Sequence, residues 1–283
     1  ISFKSSPFSH AEGKKDICVG FITIPLIKHI SKYRNLCFAL KSLLKNENNI
    51  PVCFIIYGIH SPFLKAVEKI KKKSDKSKTC LIVPDLPEYM SESKSKIYRL
   101  LKSIDRIIIS KSLWAIDSYI LLSPYMAERL PIGNKPWMVM EGIYNTSNDI
   151  TNVPKEPCKT ILYSGSLEER YGIIDLIEAF MRINSSDYKL WLCGNGNVVE
   201  EIKNFQRKDS RIEYFGILSK DEVFKLQKKA TILVNPRHSY EEYSKYSFPS
   251  KTMEYLASGT PTLMSKLPCL PKEYEPYIYF FDD

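Results

Sequence analysis

The chain has 283 residues, 44% of them hydrophobic and 26% charged, which excludes a disordered or low-complexity protein and allows two domain-sized cores. Its 41 Lys and Arg outnumber 32 Asp and Glu for a formal net charge of +9, and residues 1–150 alone hold 23 of those cations against 13 anions. The surplus therefore belongs to the first half, where it suits a polyanionic partner, either an anionic membrane surface or nucleic acid.

The chain begins at Ile1 within what reads as a loop, with neither an initiator Met nor a signal peptide, and is expected to be a fragment. The longest apolar stretch, residues 17–27, includes Gly20 and Pro25 and has roughly half the length of a membrane-spanning helix, so membrane contact would be peripheral. Residues 52–59 (VCFIIYGI) read as a buried strand, with a helix directly after it from His60. That helix ends in the basic run KIKKKSDKSK at residues 69–78, which without interleaved aromatics reads either as a solvated helix end or as a membrane or acceptor patch. Further strands follow at residues 79–86, ending on Asp85, and at 118–123 and 137–143.

A polar, turn-rich stretch with two prolines follows, and the reading divides the chain into a first domain at 1–145, a linker at 146–159 and a second domain at 160–283. In the second domain strands at 160–166, 189–194, 211–216, 231–236 and 260–265 alternate with helical stretches, and YIYFF forms a further strand near the end. This alternation predicts a doubly wound α/β sheet, which takes ligands beyond the carboxyl ends of its strands. The stripe Ile173, Ile174, Ile177, Phe180 and Met181 is expected to pack one helix onto it. The seven cysteines are scattered singly with no CxxC pair, as expected of reduced, buried core thiols in a cytoplasmic protein without a zinc site.

Chemistry concentrates in NPRHSYEEYSKYSFPSKTMEYLASGTP, residues 235–261. Pro249 opens a helix where its missing N–H costs nothing, so the amides of Ser250, Lys251 and Thr252 would face the strand ends. A helix start carrying Lys251 is a natural diphosphate cradle, and Glu254, one turn on from Ser250, could reach the hydroxyls of a ribose. The same pattern also fits a surface helix with a solvated Glu. The glycines Gly194 and Gly196 follow a strand and could admit a nucleobase or phosphate, though GxG alone is a weak signal. His60 and Asp85 sit at strand ends, where α/β sheets place catalytic groups, but a lone His there is more often a cap or a core partner. The four histidines are not spaced as metal ligands.

The segment SFPSKTMEYLASGTP resembles the donor-site helix of glycosyltransferase family 4, and YSGSLEERYGIIDLIEAF, LWLCGNG, RIEYFG and ATILVNP extend the likeness in order. More weakly, IVPDLPEYM, SYILLSPYMAERL and MVMEGI extend it into the first half. The resemblance implies the GT-B fold: two doubly wound Rossmann-like domains facing across a cleft, the first incomplete here and the chain truncated at both ends. It implies sugar transfer, with retention, from a nucleoside-diphosphate sugar to a sugar or lipid-linked sugar acceptor in surface polysaccharide or glycolipid synthesis. No cofactor or metal is expected.

Glu254 takes the ribose-binding role of the second Glu in the family's E-x7-E motif, but Tyr246 stands where the first belongs, leaving Glu241 or Glu242 to supply that carboxylate. Ser166 and Tyr171 occupy positions where the family carries an Arg and a Lys for the diphosphate, so Arg170, Arg237 and Lys251 are the expected substitutes. Gly165 matches the glycine where the backbone passes the donor. The basic first half would suit an anionic membrane, and the lack of aromatic-interleaved basic stripes, zinc motifs or RNP motifs argues against nucleic acid. Two other readings stay open: a transferase-like chain that only binds its nucleotide, and a sugar-nucleotide epimerase of the same fold.

Overall fold

The computed structural model describes residues 19–24, 27–45, 51–72, 77–88, 96–144 and 153–282, and the chain divides into two compact units, residues 1–139 and 140–283. Cys18 and part of the basic run, residues 73–76, lie outside the described residues, as do residues 145–152 of the expected linker.

In the first unit β1 (Cys53–Tyr57), β2 (Lys78–Val83), β3 (Ser118–Leu121) and β4 (Trp137–Val139) form a parallel sheet in sequence order. Helices α1 (Ile27–Lys45), α2 (Ser61–Lys71) and α3 (Lys96–Ser112) pack side by side, with α2 in the middle. The α2 helix starts at a proline and buries Leu64, Ala66, Val67 and Ile70. Its basic end is partly structural: Lys71 ion-pairs with Asp117 and donates to Ala115 O at 3.0 Å. Burial opposes ionisation of Asp117, but its bonds from Lys71 and Thr79 outweigh that and hold the carboxyl below its usual range.

On β1 the side chains of Ile55 and Tyr57 are 68% and 69% exposed, on the same side as the exposed Cys53. Cys53 therefore departs from the expected buried thiol, because its face of the sheet has no cover among the described residues. Cys37, Cys193 and Cys269 are buried, and Cys80 and Cys158 are half-buried.

The second unit is built on β5 (Lys159–Ser166), β6 (Tyr188–Asn195), β7 (Ile212–Tyr214), β8 (Ile232–Asn235), β9 (Thr262–Ser265) and β10 (Ile278–Phe281). They form one parallel sheet in the order β10-β9-β8-β5-β6-β7. The order runs outward from β5 to β7, then restarts on the other side of β5 with β8, which is the doubly wound Rossmann order. Helices α5 (Ile173–Met181) and α6 (Val199–Lys208) cover one face; α7 (Lys220–Lys229) and α8 (Ser250–Ser258) cover the other. A short helix, α4 (Met126–Arg129), belongs to the first unit.

Alternation along β5 and β6 builds both cores. Tyr163, Leu190 and Leu192 pack with Ile173, Ile177, Phe180 and Ile202, while Leu162 and Trp191 pack with Ala230, Leu233 and Tyr255. Full burial of each large side chain contributes roughly 1.5–3 kcal/mol. Met181 is 37% exposed rather than core, since it ends the helix beyond the buried stripe. The α7 helix starts on a capping box: Ser219 Oγ accepts from Glu222 N, and Glu222 Oε2 accepts from Ser219 N at 2.9 Å.

Residues 153–158 are not a free linker. Lys155 Nζ donates to Ala230 O at 2.7 Å and to Thr260 Oγ1 at 2.9 Å, and Glu156 N donates to Lys229 O, so the segment is tied to the second unit.

At the carboxyl ends of β5 and β6, Gly165 and Gly194 are paired in register. Gly194 has φ 138°, and a Cβ there would lie 1.7 Å from Gly165 O. Gly194→Ala is therefore expected to destabilise the protein by about 3 kcal/mol or more, read as a lower denaturant midpoint for the second unit.

Candidate functional site

The order of the second sheet reverses between β5 and β8, and ligands of such sheets bind outside the carboxyl ends of the strands at that point. Here the turn after β5 and the segment after β8 are locked together. Gly172 has φ 74° and passes so near that a Cβ would lie 2.2 Å from Pro236 O. His238 Nε2 lies 2.9 Å from Asp175 Oδ2, and the Tyr243 hydroxyl donates to Arg170 O at 2.7 Å.

Helix α8 is tied to the same place. Its Tyr255 is fully buried, and the hydroxyl accepts from Ser164 N at 2.9 Å and donates to Ser164 O at 3.2 Å. Burial pushes the Tyr255 phenol up to about 12, so it stays protonated as that donor. Pro249 provides no side-chain cap to the start of α8. The Thr252 amide donates to Pro249 O at 2.9 Å and its side chain is fully buried beside Met264, so Thr252 does not present the free amide expected of it. Ser250 and Lys251 hold the first-turn amides that a helix start leaves without intrahelical partners. Lys251 Nζ and Glu254 Oε2 are 2.9 Å apart, each side chain about a third exposed at 35% and 34%. The two expected contacts for phosphate and ribose thus bind each other here.

Arg170, in a 3-10 turn after β5, is exposed. It stacks on Tyr171 at 4.9 Å and Tyr243 at 5.7 Å, and donates to the Tyr171 hydroxyl at 3.1 Å. Arg237 lies under the same two rings, 4.3 Å from Tyr243 and 5.6 Å from Tyr171, and is only 5% exposed. Arg237 is therefore a buried cation rather than one open at the surface. Ser166 is exposed at the end of β5, and Gly165 is half-buried beside the Tyr163 hydroxyl. Gly194 and Gly196 both pack against backbone, a Cβ on Gly196 lying 2.0 Å from Leu167 O, so strand packing alone already requires them to be glycine. Glu242 is exposed in the 3-10 turn Glu242–Lys245, Glu241 is half-buried, and Tyr246 is buried at the position of the missing Glu.

The residues that the sequence reading missed are the aromatic ones. Tyr243 and Tyr255 organise the site, and the signal for them was the spacing of tyrosines in YEEYSKY and MEY on either side of the helix start.

In the first unit His60 and Asp85 line one cavity of about 700 Å³, with Lys32, Arg106 and Arg129 among its other walls. Asp85 lies in a bend beyond the end of β2, and His60 precedes α2 without capping it. Lys32 Nζ is 3.4 Å from His60 Nε2. Burial, then the charges of Lys32 and His29, push the His60 imidazole down to about 4. Among the described residues no cluster of His, Cys, Asp or Glu is placed to hold a metal ion, and no helix is long and apolar enough to cross a membrane.

The depressed His60 pKa fixes a pH dependence. An unfolded His60 gains its proton near 6.5 while the folded one stays neutral to about 4. Stability is therefore full above pH 6.5 and falls as pH drops toward 4, by at most about 3 kcal/mol. Denaturant titrations across that window should show the decline in the wild type and a flatter profile in His60→Gln.

Residues 158–275 match the family described as glycosyl transferases group 1. No curated protein matches the chain. Among solved structures it is similar to the lipopolysaccharide outer core galactosyltransferase WaaB in its apo form, at 18% identity and TM-score 0.57, over 89% of this chain and 65% of that one. It is also similar to Anabaena HepE in complex with UDP, at 11% identity and TM-score 0.61, over 92% and 71% of the two chains. The pneumococcal O-GlcNAc transferase GtfA in complex with UDP and GlcNAc follows, at 13% identity and TM-score 0.56, over 89% and 49%. The chain thus spans just under two thirds of the length of the WaaB structure. Residues 158–275 thus resemble the glycosyl transferases group 1, and the two parallel sheets of the chain are those of the GT-B fold.

Proposed function

We propose that the chain is the sugar-transferring part of a glycosyltransferase that takes a nucleoside-diphosphate sugar as donor. The observation that carries this reading is the start of α8, where Lys251, Glu254 and two first-turn amides stand at the carboxyl side of a Rossmann-ordered sheet in the segment that resembles this family. The UDP named in the HepE and GtfA structures supports a nucleotide ligand.

In the transfer, the bond between the sugar C1 and the diphosphate oxygen breaks with its electron pair going to the diphosphate. The acceptor hydroxyl oxygen bonds to C1, with retention of configuration, and releases its proton. Lys251, Arg170 and the amides of Ser250 and Lys251 stabilise charge on the leaving diphosphate, so electrostatics supplies most of the rate gain. When nucleotide arrives, Lys251 exchanges Glu254 for phosphate and frees the carboxylate for the ribose. Glu242 is the carboxylate that approaches the sugar in place of the one Tyr246 displaced.

The acceptor is a sugar or lipid-linked sugar of a surface polysaccharide or glycolipid. The cavity at His60 and Asp85 supports an acceptor pocket in the first unit, since it combines apolar walls with polar groups of both signs. The cationic surplus of residues 1–150 fits an anionic membrane beside it.

Calorimetric titration with UDP, GDP and their common sugars tests the donor site. One nucleotide is expected to bind, and both Lys251→Ala and Glu254→Ala should weaken it, Lys251→Ala by about 3 kcal/mol or less. A folded wild-type chain that binds none of them would refute the reading.

A further inference from the structure

Helix α3 has one side in the core, one on the cavity and a third that the fold leaves in water. Ile109 is buried and, with Lys102, Asp105 and Arg106, lines the cavity of the first unit. Leu100, Ile104 and Ile107 recur at the i, i+4, i+7 spacing of one helix face, and they are 63%, 48% and 54% exposed. That face lies about half a turn round the helix from Ile109. Single aliphatic side chains scattered over a surface are ordinary, but a row of them marks a contact surface.

Charge selects the partner. Lys111 continues the row and Arg99 and Arg106 lie beside it; all three are exposed, and none is ion-paired among the described residues. The helix sequence KIYRLLKSIDRIIISKS holds five cations against one acid, Asp105. On the other side of α2, α1 has no acidic residue and leaves Ile30 and Phe38 exposed. A second copy docked face to face would set cations against cations. Nucleic acid would pair with the cations and leave the aliphatic row in water. An anionic bilayer satisfies both, since its headgroups take the cations and the acyl boundary takes the row. The basic run at residues 69–78 has charge without such a row, and its Lys71 is already paired with Asp117.

We propose that α3 lies on an anionic membrane surface, with Leu100, Ile104 and Ile107 in the headgroup boundary and Arg99 and Lys111 on anionic headgroups. The cavity is then on the far side of the same helix, about 10–12 Å from the lipid, where it suits an acceptor held by a lipid tail rather than a sugar free in solution. For the acceptor this rests on the cavity reading above; for the membrane it does not.

Vesicle co-sedimentation tests the face without any acceptor, so failure of the cavity reading leaves its result untouched. The whole chain and its Leu100→Ser/Ile107→Ser and Lys111→Glu variants are sedimented with vesicles of phosphatidylcholine alone and of phosphatidylcholine and phosphatidylglycerol in equal parts. Melting curves establish folding, and UDP and GDP are titrated into the same preparations. The wild type should bind the mixed vesicles and not the neutral ones, and lose binding as salt rises. The paired serine variant should bind about tenfold or more weakly, and Lys111→Glu several-fold. No binding to mixed vesicles, or undiminished binding by either folded variant, overturns the proposal; if one variant does not fold, the other decides. Equilibrium sedimentation addresses the second copy: a wild-type dimer that the serine variant splits, with vesicle binding unchanged, gives the face to self-association and overturns the membrane. Vesicle binding without UDP or GDP binding would refute the donor reading and leave the membrane face standing, and nucleotide binding without vesicle binding does the reverse.

Discussion

A single phenol holds the donor-side architecture in register. Tyr255 lies fully buried against the sheet with its hydroxyl between the amide and carbonyl of Ser164, near the end of β5. Those backbone groups belong to the strand from which both halves of the sheet are wound, so α8 cannot slide along the sheet without leaving two buried polar groups unsatisfied. The beginning of α8 inherits that position. Lys251 sits on the first turn and Glu254 on the second turn of a helix bonded to the strand end through the next residue, Tyr255, and a site built that way is more rigid than one carried on a loop.

The other fixed point is formed by atoms in close approach rather than by one bond. Gly172 lies against Pro236 O, and His238 and Tyr243 reach from the segment after β8 back to Asp175 and Arg170. Arg237 is enclosed by these contacts. Its burial is unfavourable in isolation, and the surrounding structure keeps it there with one carbonyl and two aromatic faces.

Much of the second unit was legible because its strands are buried on both faces and read as continuous apolar runs, such as TILYS and KLWLC. Its helix start was legible because Pro249 marks a boundary at which a missing N–H costs nothing. The failures have local causes. Met181 continues the helical stripe in sequence, but the helix ends at that residue, which is left 37% exposed. Thr252 occupies the first turn, but its side chain points to Met264 and its amide is taken by Pro249. Arg237 sits in a polar loop sequence, and only the fold reveals that Tyr171, 66 positions back in the chain, closes over it together with Tyr243. Contacts of that separation leave no periodic trace.

The anchoring of Lys155 determines how the chain can be divided. Its ammonium joins the end of α7, at Ala230, to the turn before β9, at Thr260, and the neighbouring Glu156 amide is bonded to Lys229. These six residues before β5 act as a clasp across the bottom of the second sheet, at the opposite end from the proposed donor site. An expression boundary drawn at Thr160, where the apolar pattern begins, would discard the clasp and expose the carbonyls it covers. A protease that cut between Val153 and Cys158 would loosen the amino-terminal edge of the sheet while leaving every residue of the donor side in place.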